Sequence, residues 1–136
     1  MSSGIYQRFL ANLFNKIVDM EADTIKIALL DSSHAFNGAH NGWADVSANE
    51  TSGNGYVAGG QELSGKSVTQ AAATKFDATN ITWSNATFSA YHAVGYDDSL
   101  PGKDLCFSID FGGEQAIAEG NFTIEWSASG IITLSE

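Results

Sequence analysis

Three histidines, one cysteine and a surplus of carboxylates are the residues in this chain with chemistry to offer. His34 and His40 fall in one polar stretch with Asp31 and Asp45. A metal centre needs three or four converging ligands, and this spacing matches no common zinc pattern. The stretch therefore reads as a solvated loop. His92 stands beside Tyr91 on an alternating segment and reads as a half-buried imidazole with its hydrogen bonds satisfied. Cys106, the only cysteine, lies inside the apolar run Leu105–Phe107, so it reads as a buried, inert thiol that forms no intrachain disulfide. The run from Asp97 to Asp104 has the carboxylates a calcium ion prefers. It lacks EF-hand spacing, and Pro101-Gly102 accounts for it as a hairpin turn. Gly53-Asn54-Gly55 and Gly59-Gly60 are followed by no Lys-Ser or Lys-Thr and by no helix, so they form no phosphate loop. No Gly-x-Ser-x-Gly elbow is present. The expectation is a chain without catalytic residues, metal or cofactor.

Among the tryptophans, Trp83 and Trp126 keep phase with apolar neighbours and read as core. Trp43 interrupts a polar stretch and reads as an exposed contact residue. Flat aromatics on β proteins also stack on sugar rings, which leaves carbohydrate binding open as a second reading.

The elements that must position these groups are mostly strands. Residues 4–18 form the expected helix: Ile5, Phe9, Leu13 and Ile17 recur every four positions, with Tyr6, Leu10 and Phe14 beside them. Ser2 or Ser3 is its candidate cap. Strands are expected at 24–30, 55–63, 66–70, 75–84, 87–96, 104–111, 121–127 and 131–134, most of them alternating and separated by Gly, Asn or Asp. Residues 31–54 make a long connection, of the kind that contacts a partner. This pattern predicts an all-β fold in a single domain over 1–136, an antiparallel β-sandwich or jelly-roll-like barrel with one N-terminal α-helix. One buried and one wet face are expected per sheet.

With 6 Lys plus Arg against 16 Asp plus Glu, the formal charge is −10. That field repels nucleic-acid phosphates. No run is long and apolar enough for a membrane-spanning helix, and Met1–Gly4 lacks the basic start of a secretory signal. Synthesis in a reducing cytoplasm is expected.

The order of segments carries a resemblance. A helix and acidic turn precede Asp23-Thr24-Ile25-Lys26-Ile27-Ala28-Leu29-Leu30 and a long loop. Then follow Val46–Glu50, Gly53–Gly60, Leu63–Val68, Phe76–Ala78, Ile81–Ser84, Ile109–Gly112 and Phe122–Trp126. This succession resembles a family of tailed-phage virion proteins, the capsid decoration (cement) proteins and the base domains of head fibres. It departs from the family at Asp97–Gly102, where a Lys-Asp-Thr-Gly turn is common. A chain ending at Glu136 favours a stand-alone decoration protein. The resemblance implies a protein of the virion surface that binds the assembled capsid and bridges copies of the major capsid protein, without catalytic residues. It also implies a homo-oligomer, with a trimer favoured. Two features of the residues agree with this: the glycine-dense segment Gly53–Gly60 would admit a neighbouring chain, and the helix has more apolar positions than one stripe needs. Trp43, His34, His40, Tyr6, Leu10 and Phe14 are the candidate capsid or subunit contacts.

Overall fold

The computed structural model describes residues 3–135. Its elements are β1 (Gly4–Ile5), α1 (Gln7–Phe14), β2 (Ile25–Leu30), β3 (Gln61–Glu62), β4 (Ser67–Thr69), β5 (Ala73–Asp77), β6 (Ile81–Asp97), β7 (Leu105–Ile124) and β8 (Ile132–Ser135). Five strands form one antiparallel sheet in the order β1-β7-β6-β2-β3, and three form a second in the order β4-β5-β8. Two antiparallel sheets and a short N-terminal helix give a β-sandwich-like fold, with no closed barrel among the described residues.

Around β2 the large sheet is covered on both sides, contrary to the expected wet face, whereas the outer half of β6, Ile81–Ala90, keeps one buried and one wetter face as expected. Alternation along β2 sends Ile25, Ile27 and Leu29 to one side and Ala28 and Leu30 to the other, and all five are fully buried. The first side packs on α1 and the small sheet through Phe9, Phe76, Trp83, Phe107 and Ile132. The second side, with Val94, Tyr96 and Leu105, is capped by Tyr6, Val46, Phe36 and Trp43. Three of those four caps come from the connection after β2. A segment that reads as a polar loop is a lid over half the core.

The helix is half its expected length. Gly4 and Ile5 pair with Ser108 and Phe107 of β7 instead of starting it. Tyr6 is the N-cap, with extended backbone and no side-chain cap. Ser3 therefore does not cap the helix; its hydroxyl accepts the Asp110 N–H at 3.0 Å. Ser2 lies outside the described residues. At the other end Lys16 takes a left-handed conformation, φ 59°. There the Ile17 N–H reaches the Asn12 carbonyl at 2.9 Å, which closes the turn.

Several expected breaks are bulges. Asn85 and Glu119 adopt positive φ, and the β6–β7 register shifts beside them while pairing continues. Residues 121–127 are thus largely the end of β7, and not a separate strand. Of the expected strand 55–63, only Gln61–Glu62 pairs, because Gly55, Gly59 and Gly60 turn the chain with positive φ. This glycine segment lies against its own chain: a Cβ at Gly60 would strike the Ile27 carbonyl, and one at Gly53 the Thr87 carbonyl. The bare backbone at these two glycines serves contacts within the chain, while Val57 between them stands 73% exposed.

Candidate functional site

The six candidate contact residues do not share a surface. Tyr6 is wholly buried, and burial pushes its phenol up to about 12. Expected on an outer flank of the helix, it instead sits at the N-cap, beneath the connection after β2. His34 is buried too, with Nε2 3.1 Å from the Ser108 hydroxyl. His40 is half-buried, and its Nδ1 is enclosed without a hydrogen-bond partner. Trp43 opens a short turn held by Asp45, whose carboxylate accepts the N–H groups of Asn41 and Gly42 at 2.8 and 3.2 Å. Those bonds lower the Asp45 pKa. The indole stacks on Tyr96, with centroids 4.8 Å apart and planes 16° from parallel. One ring face is therefore spent inside the protein. As contacts for another molecule, Tyr6 and His34 are withdrawn by burial, and Trp43 by half.

Two buried polar nodes went unseen in the sequence. In the first, the rings of His34 and His92 meet edge-on at 4.9 Å, and His92 Nδ1 stands 3.9 Å from the Asp110 carboxylate. Both His92 nitrogens lack a hydrogen bond, so the satisfied imidazole expected there is not what forms. Burial, then the neighbouring His92 and His40 charges, hold His34 down to about 4, and burial also lowers His92. Ser108 and His34 have the spacing of a nucleophile and its base. Each is only 2% exposed, and a nucleophile must meet its substrate.

The second node is the β6–β7 hairpin. Asp97 is buried, its Oδ1 accepts the Ser99 N–H at 3.0 Å, and its Oδ2 has no partner. Burial, with the Asp23 carboxyl beside it, pushes Asp97 up to about 7. Asp98 is held by Lys103 and by Lys26, the latter at 3.6 Å, and Lys103 leads in keeping its pKa low. The calcium candidate is thus a hairpin in which lysines hold Asp98, Asn12 donates to Asp104 at 2.8 Å, and Asp97 is buried. Among the described residues, no three His, Cys, Asp or Glu converge on a metal position. Trp83 is core as expected, whereas Trp126 is half-buried against Phe107, its indole N–H donating to Thr79.

Six large apolar side chains face solvent among the described residues: Leu10, Phe14, Ile17, Val57, Val68 and Leu134, with Phe14 91% exposed. Leu10 and Phe14 are one helical turn apart, next to the buried Phe9 and half-buried Leu13. A groove of about 100 Å3 runs beside them, walled mainly by Phe9, Leu13, Met20, Val68, Phe76, Ile132 and Leu134, with Thr74 and Lys75 also in its lining. Helix and small sheet thus present one continuous apolar margin. Leu10 and Phe14 were legible as surplus apolar positions on the helix. Ile17 reads as part of the core stripe until the left-handed Lys16 turns it out, Val68 sits singly in a polar strand, and Leu134 follows Ile132 in a strand whose exposed side the sequence does not mark. Comparison with protein-family models, with curated proteins and with solved structures found no match.

Proposed function

We propose that this chain is a structural protein of a tailed-phage virion that binds the assembled capsid exterior and stabilises it by bridging major capsid protein subunits. The order of its sequence segments supports that reading. The single structural observation in its favour is the apolar margin around Phe14, itself 91% exposed, since contiguous exposed apolar patches mark interaction surfaces. In this reading the margin joins three copies into a homotrimer. The trimer then holds the shell through several weak contacts at once, and avidity makes the binding tight. The carbohydrate reading loses ground because its flat aromatic, Trp43, has one ring face on Tyr96.

Co-sedimentation with purified heads of the same virus tests the proposal. The wild-type chain should pellet with intact heads and not with unassembled capsid protein. Phe14→Ser should fold normally and pellet at least tenfold less, because losing the trimer removes avidity. Wild-type protein that stays in the supernatant at every ratio of chain to heads would reject the function.

A further inference from the structure

Beyond Ser108, β7 has a neighbour on only one side. β1 covers Phe107 and Ser108, and β6 pairs along the opposite edge as far as Ile124. Among the described residues no strand pairs with the outer edge of β7 from Ile109 to Ile124. An unpaired edge is a template for another strand, and proteins ordinarily shorten, cover or distort it. Distortion is present, but only at two points. Gly112 and Gly113 carry positive φ at one, and Glu119 at the other. Between them, Glu114–Ala118 stays in strand, with Gln115, Ala116 and Ile117 paired to β6. Ala116 and Ala118 are small and exposed, which leaves the backbone edge open to approach. The bend of β7 also forms a cleft of about 400 Å3, whose walls include Phe111, Ile117, Phe122 and Ile124.

Charge selects what could pair there. Asp110, Glu114 and Glu119 lie on β7 and Glu125 follows it, yet no Lys or Arg occurs after Lys103. A second copy would bring an edge carrying the same Glu114 and Glu119 and no cation of its own. Like charges directly opposite destabilise a strand pair. The same two carboxylates would attract cations at those positions, so one pair of residues discourages self-association and favours a basic partner. We infer that the outer edge of β7 around Glu114–Ala118 accepts an extended basic segment of another protein as an added antiparallel strand, with alternating Lys or Arg near Glu114 and Glu119 and apolar side chains in the adjoining cleft. This is strand addition, in which backbone hydrogen bonds supply affinity and side-chain pockets supply selectivity. The inference stands apart from the capsid reading, because it uses a different face.

Three seven-residue peptides test it by amide NMR titration: alternating Lys–Val, alternating Glu–Val and alternating Lys–Pro. The Lys–Val peptide should shift the amides of residues 109–124 saturably and slow hydrogen exchange along the outer edge of β7. Affinity should fall about tenfold on adding 0.5 M salt, and as much in a Glu114→Lys, Glu119→Lys double variant. The Lys–Pro peptide keeps the charge but loses backbone donors, so it should bind at least tenfold more weakly. Equal binding by Lys–Pro would reduce the effect to general attraction by an acidic protein and overturn strand addition. So would shifts centred elsewhere, binding of Glu–Val, or no saturable binding at all. Dimerisation lost in the double variant would assign the edge to a second copy instead.

Discussion

A carboxyl group such as Asp97, fully buried beside a second acid, resists ionisation. Its folded pKa of about 7 exceeds the unfolded value near 3.8, so the folded state binds the extra proton between those pH values. Its contribution is therefore full below about pH 4 and is lost as pH rises through about 7. His34 acts in the opposite direction. Its folded pKa of about 4 lies below the unfolded 6.5, so its contribution is present above 6.5 and is lost as pH falls toward 4. Burial lowers His92 in the same sense, with Asp110 and Asp31 opposing it. The two nodes thus flatten the pH dependence of stability between about 4 and 7. Asp97→Asn keeps an acceptor for the Ser99 N–H and removes the charge. We expect it to stabilise the protein at pH 8 by about 2 kcal/mol, roughly half the full conversion because relaxation around the charge softens the cost of its burial. That gain should vanish below pH 4, and the variant's own stability should then drop as pH falls from 6.5 to 4. Urea unfolding at several pH values measures both. A gain that persists undiminished at pH 3.5 would mean that it does not arise from the ionisation of Asp97.

At the scale of elements, the connection after β2 has the largest unexpected role. Its Phe36, Trp43 and Val46 complete a core behind Ala28, Leu30, Val94, Tyr96 and Leu105. Trp43→Ala should therefore cost stability, about 1–3 kcal/mol, below the range for a fully buried aromatic because the ring is half-exposed. It should also expose the connection to limited proteolysis. An unchanged urea midpoint together with unchanged protease resistance would return Trp43 to the surface role its polar neighbours suggest. The sequence could not show this cover, because nothing near Trp43 in the chain encodes its meeting with Tyr96, 53 positions away. Local patterns served better. Alternation in β2 and in the first half of β7 marks those strands correctly, since a period of two survives whatever covers the faces. The helix was overdrawn because Ile5 and Ile17 fit its four-residue spacing. Ile5 is claimed by pairing with Phe107, and Ile17 by the left-handed turn at Lys16. Asn85 and Gly120 look like strand ends, yet neither interrupts its strand, because the partner strand continues past them. Of the candidate site, Leu10 and Phe14 were legible. The groove beside them was not, since it needs β5 and β8 brought against the helix.

For the whole molecule the governing conflict is between one apolar margin and ten net negative charges. Burying Phe14 between copies is favourable by about 1.5–3 kcal/mol, and Leu10 and Ile17, 40% and 50% exposed, by about half that each, before losses of motional freedom. Repulsion among three copies opposes that gain and reaches only about 10 Å at 0.1 M salt. Arg8 and Lys16 lie on α1 or just past its end, but exposed Asp19 and Glu21 follow, and Glu21 accepts the Val68 N–H at 3.1 Å, so carboxylates flank the margin. Association should therefore strengthen with ionic strength, the reverse of a contact held by opposite charges. Light scattering should give a mass near the single-chain 14.4 kDa in 10 mM salt and three times that mass in 0.3 M salt at high protein concentration. Phe14→Asp should stay at the single-chain mass throughout, because it places a charge where the copies would meet. Its circular dichroism should match wild type, since Phe14 contributes little to the fold when it is 91% exposed. A wild-type chain that remains monomeric in 0.3 M salt would remove the trimer and leave the margin to the partner itself. A trimer unaffected by Phe14→Asp would place the subunit contact on another face.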